Sequence, residues 1–338
     1  MSTTIVSDEN LHYPVLLNEV VSIISPQNGG TFIDCTFGQG GYTEKILEFP
    51  NTKVIAFDRD YASKNIAIKF KQKFKSRFEF YNKKFSDIDK VKLPKIINGI
   101  IFDLGFSYNQ IKDKSKGLSF NHKGKLNMKM GYNKISADDI IKKLSANDLE
   151  KIFKHFGDER NAKIIARKIV KERNINNINI EGLVKLVNLS KKNFTKKNKA
   201  TKIFQALRIM VNNEISELIS ALSKSCNLVS NKGIIITVTF HSIEDKICKF
   251  FFNTISTHSA VSRYMPLNKK DVLAFNLVNK KVITPTSKEI EINPPSRSAK
   301  LRAVKRNCTK ELDTEFLHTK FKNLIEIEKL SLKLWTNI

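Results

Sequence analysis

Three aspartates stand where apolar runs stop: Asp34 closes "GTFID", Asp58 closes "KVIAFD" and Asp103 closes "NGIIFD". After the first come Gly38, Gly40 and Gly41, a turn almost bare of side chains, and Asp58 follows Gly41 by seventeen residues. A bare turn lets the backbone touch a ligand, and a carboxylate at the end of the next strand accepts hydrogen bonds from both hydroxyls of a ribose. Charge-assisted bonds of this kind contribute about 1.5–3 kcal/mol each. The residue types therefore point to nucleoside binding. The plainer reading is a turn and nothing more.

Two nucleoside cofactors compete for such a loop. A dinucleotide fingerprint, G-x-G-x-x-G, wants a small residue where Thr43 stands, so that the helix can pack with its end facing a pyrophosphate. S-adenosyl-L-methionine carries no phosphate and needs only the bare turn and the ribose acid, so it is the expected cofactor. Asp103 would then sit where the transferred methyl emerges, and Phe85 would cover an adenine face. A helix cap or surface ion pair is the plainer role for Asp103. His241 and Ser242 directly follow "IIITVTF" and fall at the same edge, where they could orient a base or a phosphate. A satisfied structural histidine is the competing reading.

These residues need elements to hold them. The runs 30–37, 53–58, 78–82 and 98–105 are rich in Ile, Val and Phe and read as buried strands, with helical patterns between them. Strand and helix in alternation predict an α/β fold with a parallel, doubly wound sheet. The next strand, 232–240, comes far later than a crossover requires, and the pattern between is helical. The expected division is a first core segment at 1–112, an all-helical insert at 113–203, a second core segment at 204–308 and a helical extension at 309–338. Ser136, Ser145 and Asp158 are candidate N-caps, Ile164, Ile165 and Ile169 a core stripe, and 202–223 one long returning helix. That helix buries Phe204, Leu207, Val211, Ile215, Leu218 and Leu222, and aligns Gln205, Arg208 and Asn212 on its other edge, toward solvent or toward a site. "AKLRAVKR" reads as an edge strand.

Charge narrows the partner. The chain of 338 residues carries 59 Lys+Arg against 33 Asp+Glu, a formal +26, which favours a polyanion through counterion release. Biased base composition in the coding sequence explains part of that excess without removing the field. The basic residues Lys163, Arg167, Lys168, Arg297, Lys300 and Arg302 are candidate phosphate contacts, or a solvated charged face. Four scattered cysteines, Cys35, Cys226, Cys248 and Cys308, show neither a disulfide framework nor zinc-ligand spacing. No residue pattern forms an obvious metal site. With no apolar run of spanning length and no leader-like segment, a cytoplasmic location is expected.

The motifs "HYPVLLNEV", "DCTFGQGG", "AFDRD", "DLGFSYNQI", "GLSF", "FGDER", "FQALRIMVNNEI", "TFHSIED" and "NPPSRSAKLR" occur in order from about 10 to 306. Together they resemble the bacterial 16S ribosomal RNA (cytosine N4)-methyltransferases, the RsmH or MraW family. The resemblance implies a class I S-adenosylmethionine-dependent methyltransferase domain, Rossmann-like, with an inserted helical domain for substrate recognition. It implies action on a cytidine in the decoding region of 16S ribosomal RNA, with the small subunit as partner. By the same resemblance Gly40, Gly41, Tyr42, Asp58, Phe85, Asp103 and Gln110 match cofactor-binding positions. Tyr42 stands where the family usually has His, and Asn127 and Gly131 stand where it commonly has Asp. Residues after 308 lie outside the resemblance.

Cytosine N4 is a weak nucleophile, so catalysis requires it to be held in line with the methyl while a base takes its hydrogen; Asp103 is the candidate. Phe106 or Tyr108 could stack on an unstacked cytidine. Two rivals stand against this reading. A DNA amino-methyltransferase would carry a [DNS]-P-P-[YFW] tetrapeptide where this chain has "DLGF", and a non-catalytic RNA-binding assembly factor would keep the fold without turnover.

Overall fold

The computed structural model describes residues 14–190, 198–257 and 273–334. Strands β1 (Gly30–Asp34), β2 (Thr52–Phe57), β3 (Phe78–Tyr81) and β4 (Gly99–Asp103) alternate with helices α1 (Leu17–Ile24), α2 (Gly41–Leu47) and α3 (Ser63–Phe74). Successive strand residues face opposite layers. Ile33, Ile55, Ile100 and Phe102 join one buried cluster, while Phe32, Val54, Ala56 and Ile101 join another on the far side. Apolar side chains on both faces are what a parallel sheet wrapped by helices requires, and they explain why the runs are continuous rather than alternating.

Strand β5 (Ile234–Thr239) pairs in parallel with β4, β7 (Lys300–Arg306) runs antiparallel to β5, and β6 (Phe275–Leu277) runs antiparallel to β7. The order is β3-β2-β1-β4-β5-β7-β6. The chain reverses its direction of winding between β1 and β4, so a crevice opens at their carboxyl ends. This is the class I methyltransferase sheet. β7 is not the edge strand that its sequence predicts. It is covered by β6, whose three residues are too short to register as a strand pattern.

Between β4 and β5 the described chain is helical: α4 (Tyr108–Lys112), α5 (Ala137–Lys143), α6 (Ala146–Gly157), α7 (Ala162–Arg173), α8 (Ile180–Asn188), α9 (Thr201–Asn212) and α10 (Glu214–Leu228). Ser136 and Ser145 cap α5 and α6 as expected, each accepting from the backbone N–H three residues on. Asp158 does not start a helix. It ends α6 in the left-handed region at φ 48°, and Asn161 precedes α7. Ile165 and Ile169 are buried, but Ile164 is 51% exposed, because the stripe follows the 4-residue spacing and 164 falls off it.

The single helix expected over 202–223 is two. Asn213 takes φ 51° and breaks the run into α9 and α10, a conformation Asn tolerates better than other side-chain-bearing residues. Every member of the predicted apolar stripe is nevertheless buried. After β5 come α11 (Ser242–Ile255), α12 (Ser287–Ile292) and, beyond β7, α13 (Glu315–Glu328), which buries Leu317, Phe321 and Ile327. Among the described residues no helix is long and apolar enough to cross a membrane.

Candidate functional site

The ends of β1, β2 and β4 bring the three sequence-flagged acids together. Asp34 is buried; its carboxylate accepts from the Thr36 N–H at 3.1 Å and from the Thr43 hydroxyl at 2.7 Å. Burial outweighs these bonds and pushes the Asp34 carboxyl from 3.8 up to about 6. Thr43, which excluded the dinucleotide fingerprint, thus holds the first acid in place. Asp58 accepts from the Gly38 N–H and the Asp60 N–H, both at 2.7 Å, so the glycine turn and the candidate ribose acid are joined directly. Burial still raises the Asp58 carboxyl above its usual range.

Asp103 is the most strained of the three electrostatically. Burial, then the charges of Asp34 and Glu244, hold its carboxyl well above the usual range, and its Oδ1 is buried without a hydrogen-bond partner. Its backbone N–H donates to the Thr36 hydroxyl at 2.7 Å, which ties the ends of β1 and β4 together. Three desolvated carboxyls, one with an unmatched oxygen, meet at this sheet edge, an arrangement that a positively charged ligand would relieve. A sulfonium cofactor fits that requirement.

The glycines do more than leave room for a ligand. A Cβ on Gly40 would lie 2.5 Å from the Phe70 ring and one on Gly41 would lie 2.1 Å from Pro14, so both positions are closed by the protein's own side chains. A Cβ on Gly38, at φ 52°, would meet only the Thr36 carbonyl, at 3.8 Å, and Gly38 is the glycine whose N–H reaches Asp58. The Tyr42 side chain is buried, and its hydroxyl donates to the Val15 carbonyl; it anchors the chain before α1. Phe85 meets Phe102 edge-on at 5.7 Å, beside Asp103. Gln110 accepts from the Ser107 N–H at 2.9 Å and donates to Asp60 at 2.5 Å.

Asp60 escaped the sequence reading. It also takes Lys116 at 2.7 Å, and although burial would raise its carboxyl, the Lys116 and Gln110 bonds bring it below the usual range. The only signal is the "DRD" repeat, which does not say that a lysine arrives from residue 116. A second missed group surrounds His241. Its Nδ1 accepts from the Glu244 N–H at 3.4 Å, capping α11, and its Nε2 lies 3.0 Å from Glu244 Oε1, an ion pair when the ring is protonated. Burial would raise the Glu244 carboxyl, but His241, then Arg208, bring it below its usual range.

Gln205, Arg208 and Asn212 do not line a solvated face. Gln205 donates to the Phe156 carbonyl, Arg208 grips Glu214 at 2.9 Å, and Asn212 is wholly buried among backbone partners. The Arg208 guanidinium lies 4.6 Å from the centroid of the Phe106 ring, which is 39% exposed. The expectation for the Tyr108 side chain falls outside the described residues. Glu214, His241 and Glu244 place three potential ligand atoms within 4.8 Å of one another, a grouping invisible in the spacing. Arg208 already meets Glu214 there, so the negative charge has its cation.

His241 and the exposed Ser242 also line a cavity of about 570 Å³ between α9 and the end of β5, with Phe120, Lys202, Gln205, Phe240 and Arg297. Of the other basic candidates, Lys300 and Arg302 are held by Asp245 at 2.8 Å each, and Lys168 donates to the Leu189 carbonyl; Lys163 and Arg167 are exposed.

Comparison with known proteins shows the family. The sequence profile described as the MraW methylase family matches residues 9–307. The chain is 38% identical over 303 residues to "Ribosomal RNA small subunit methyltransferase H" of Ehrlichia ruminantium (strain Gardel), covering 87% of this chain and 98% of that protein. It is 39% identical over 307 residues to the protein of the same name from Orientia tsutsugamushi (strain Ikeda), covering 87% and 97%. The protein of that name from Allorhizobium ampelinum is 36% identical over 324 residues, covering 94% of each chain.

Proposed function

Since the chain belongs to the MraW methylase family, we propose that it transfers the methyl group of S-adenosyl-L-methionine to N4 of a cytidine in the decoding region of 16S ribosomal RNA, in the cytoplasm, with the small subunit as partner. The observation that carries this is the unmatched, buried Asp103 oxygen beside Asp34 at the carboxyl edge of the sheet. When bound, the cofactor supplies an electrophilic methyl on a positively charged sulfur. Burial holds the Asp34 and Asp103 carboxyls above their usual range, and beside a positive charge their ionised forms are favoured, the form in which Asp103 acts as a base.

The residues divide the work. Asp58 takes the ribose hydroxyls with the lone pairs that Gly38 and Asp60 leave free, Phe85 covers the adenine, and the Gly40 and Gly41 backbone lines the loop. Tyr42 acts through its backbone, its side chain being committed to Val15. Gln110 acts beside Asp60, which keeps the loop after β2 in position. Asp103, as the carboxylate, accepts the proton that N4 loses as the methyl arrives, so that charge does not build on the nitrogen. The cavity behind His241 and Ser242 is of a size suited to a nucleotide. Phe106, backed by Arg208, offers its ring to the unstacked base, and Lys202 and Arg297 meet phosphates.

The domain division that supports this reading keeps the core at 1–112 and 204–308, the recognition insert at 113–203 and the extension at 309–338. Helix α9, which opens the second core segment and ends at the Asn213 break, packs along α6 of the insert and so joins the two. The test supplies labelled cofactor with small ribosomal subunits from a strain lacking this modification, followed by RNA digestion. Label in N4-methylcytidine is expected. Folded, cofactor-bound protein that leaves cytidine unlabelled would instead make it a non-catalytic assembly factor.

A further inference from the structure

Tyr61 and Tyr132 are two of the most exposed aromatic side chains among the described residues, at 61% and 68%, and their rings meet edge-to-face at 6.2 Å. Exposed rings of this size normally gain nothing from being held still. These two are held by a polar scaffold with no slack. Gly131, at φ 69°, lets the chain before Tyr132 press on the Arg59 carbonyl, where a Cβ would come within 2.2 Å. Arg59 in turn donates to the Asn212 carbonyl at 2.9 Å and to Asn133 at 2.6 Å. The buried Asn212 side chain accepts from the Met130 N–H at 2.8 Å and from Asn133 at 2.6 Å. The Tyr132 hydroxyl donates to Asn82 at 3.2 Å, and Asn82 donates to the Asp58 carbonyl at 2.8 Å.

Tyr61 therefore projects from the loop that carries Asp58, and Tyr132 is tied to that loop through Asn82. A cation completes the arrangement, because Lys64 lies 4.1 Å from the centroid of the Tyr61 ring. Ordered aromatic faces beside an ammonium group, on a chain of formal charge +26, match the requirements of single-stranded RNA: a π-face for a base and a positive charge for its phosphate. A protein partner would want a broader apolar surface than two rings set among Lys64, Asn82 and Asn133.

We propose that Tyr61 and Tyr132 form a stacking platform for an unpaired nucleotide flanking the target cytidine, with Lys64 at its phosphate. This extends the RNA-methylation reading and rests on it. The platform binds RNA without touching the reacting atoms, so its loss is read in RNA affinity and not in cofactor affinity.

The experiment compares wild type, the double variant Tyr61→Ala/Tyr132→Ala and the double variant Tyr61→Phe/Tyr132→Phe. Three quantities are measured: calorimetric binding of S-adenosylhomocysteine, binding of a fluorescent single-stranded oligoribonucleotide of decoding-region sequence, and methyl transfer to small subunits. The alanine variant is expected to weaken RNA binding about 10- to 100-fold, as stacking losses do. Cofactor affinity and circular dichroism should stay at wild-type values, and the phenylalanine variant should bind RNA nearly as wild type. Weaker cofactor binding with unchanged RNA binding would make the rings a cofactor lid and overturn the platform. So would unchanged binding of both. Wild-type protein that binds the oligonucleotide but transfers no methyl would sink the methylation reading alone, and normal wild-type transfer with unaltered RNA binding by the alanine variant would sink the platform alone.

Discussion

Asp103 carries a cost in the ligand-free protein that the proposed role as a base would account for. In an unfolded chain it ionises near 3.8, whereas in the folded one burial and the neighbouring acids hold the proton on. The native state therefore binds more protons over the window above 3.8, and stability contributed by this group is present below it and lost as pH rises. Asp34 behaves alike. Its rise from 3.8 to about 6 corresponds to about 3 kcal/mol lost across that window. Asp103→Asn removes one of these titrations. The variant should melt higher than wild type at pH 8 without cofactor, match it near pH 4, and lose about 100- to 10,000-fold in turnover, the usual range for a lost general base. Thermal unfolding at several pH values and a methyl-transfer assay check both halves; a variant that melts lower at pH 8 contradicts the electrostatic account. The aspartates were legible because each ends an apolar run and so must sit at a strand's carboxyl end. Asp60, Glu244 and the Arg208–Glu214 pair were not, because their partners come from segments that the fold alone brings near.

Helix α9 and helix α10 show the same limit one level up. Their apolar spacing runs unbroken from Phe204 to Leu222, so periodicity reads one helix; the turn at Asn213 redirects the axis without disturbing the buried stripe. The break starts α10 at Glu214, whose carboxylate then meets Arg208, the guanidinium that lies against the Phe106 ring. It also exposes α10's first N–H groups. Glu328 from α13 accepts from those of Ile215 and Ser216 at 2.8 Å each, and from the Ser216 hydroxyl. A left-handed residue with a branched Cβ would be forced toward helical φ. Asn213→Val should cost about 1–2 kcal/mol in denaturant unfolding, while Asn213→Gly should change stability by under about 0.5 kcal/mol. Equal losses in both variants would mean that the asparagine side chain, rather than the backbone turn, is what matters.

The extension beyond the family match is a structural part of the whole molecule, although nothing in the motifs points to it. Phe316 stacks on Phe251 at 5.9 Å, Phe321 meets Phe250 edge-on at 5.6 Å, and Leu317 and Ile327 are buried with them. Lys333 reaches Asp148 on α6 at 3.1 Å, and Glu328 caps α10, so one segment braces the insert and the returning helix together. A chain ended after Asn307, where the family match stops, loses these contacts and leaves Phe250 and Phe251 to water. At about 1.5–3 kcal/mol for each large buried side chain, four such losses equal the whole net stability of a typical domain, about 5–15 kcal/mol. The truncated protein should therefore fail to give a cooperative melt and should be cleaved rapidly by a nonspecific protease, with or without cofactor. A truncated chain that melts within a few degrees of the full protein would show that α13 is an ornament on a self-sufficient core, and the bracing of α6 against α10 would then need another source.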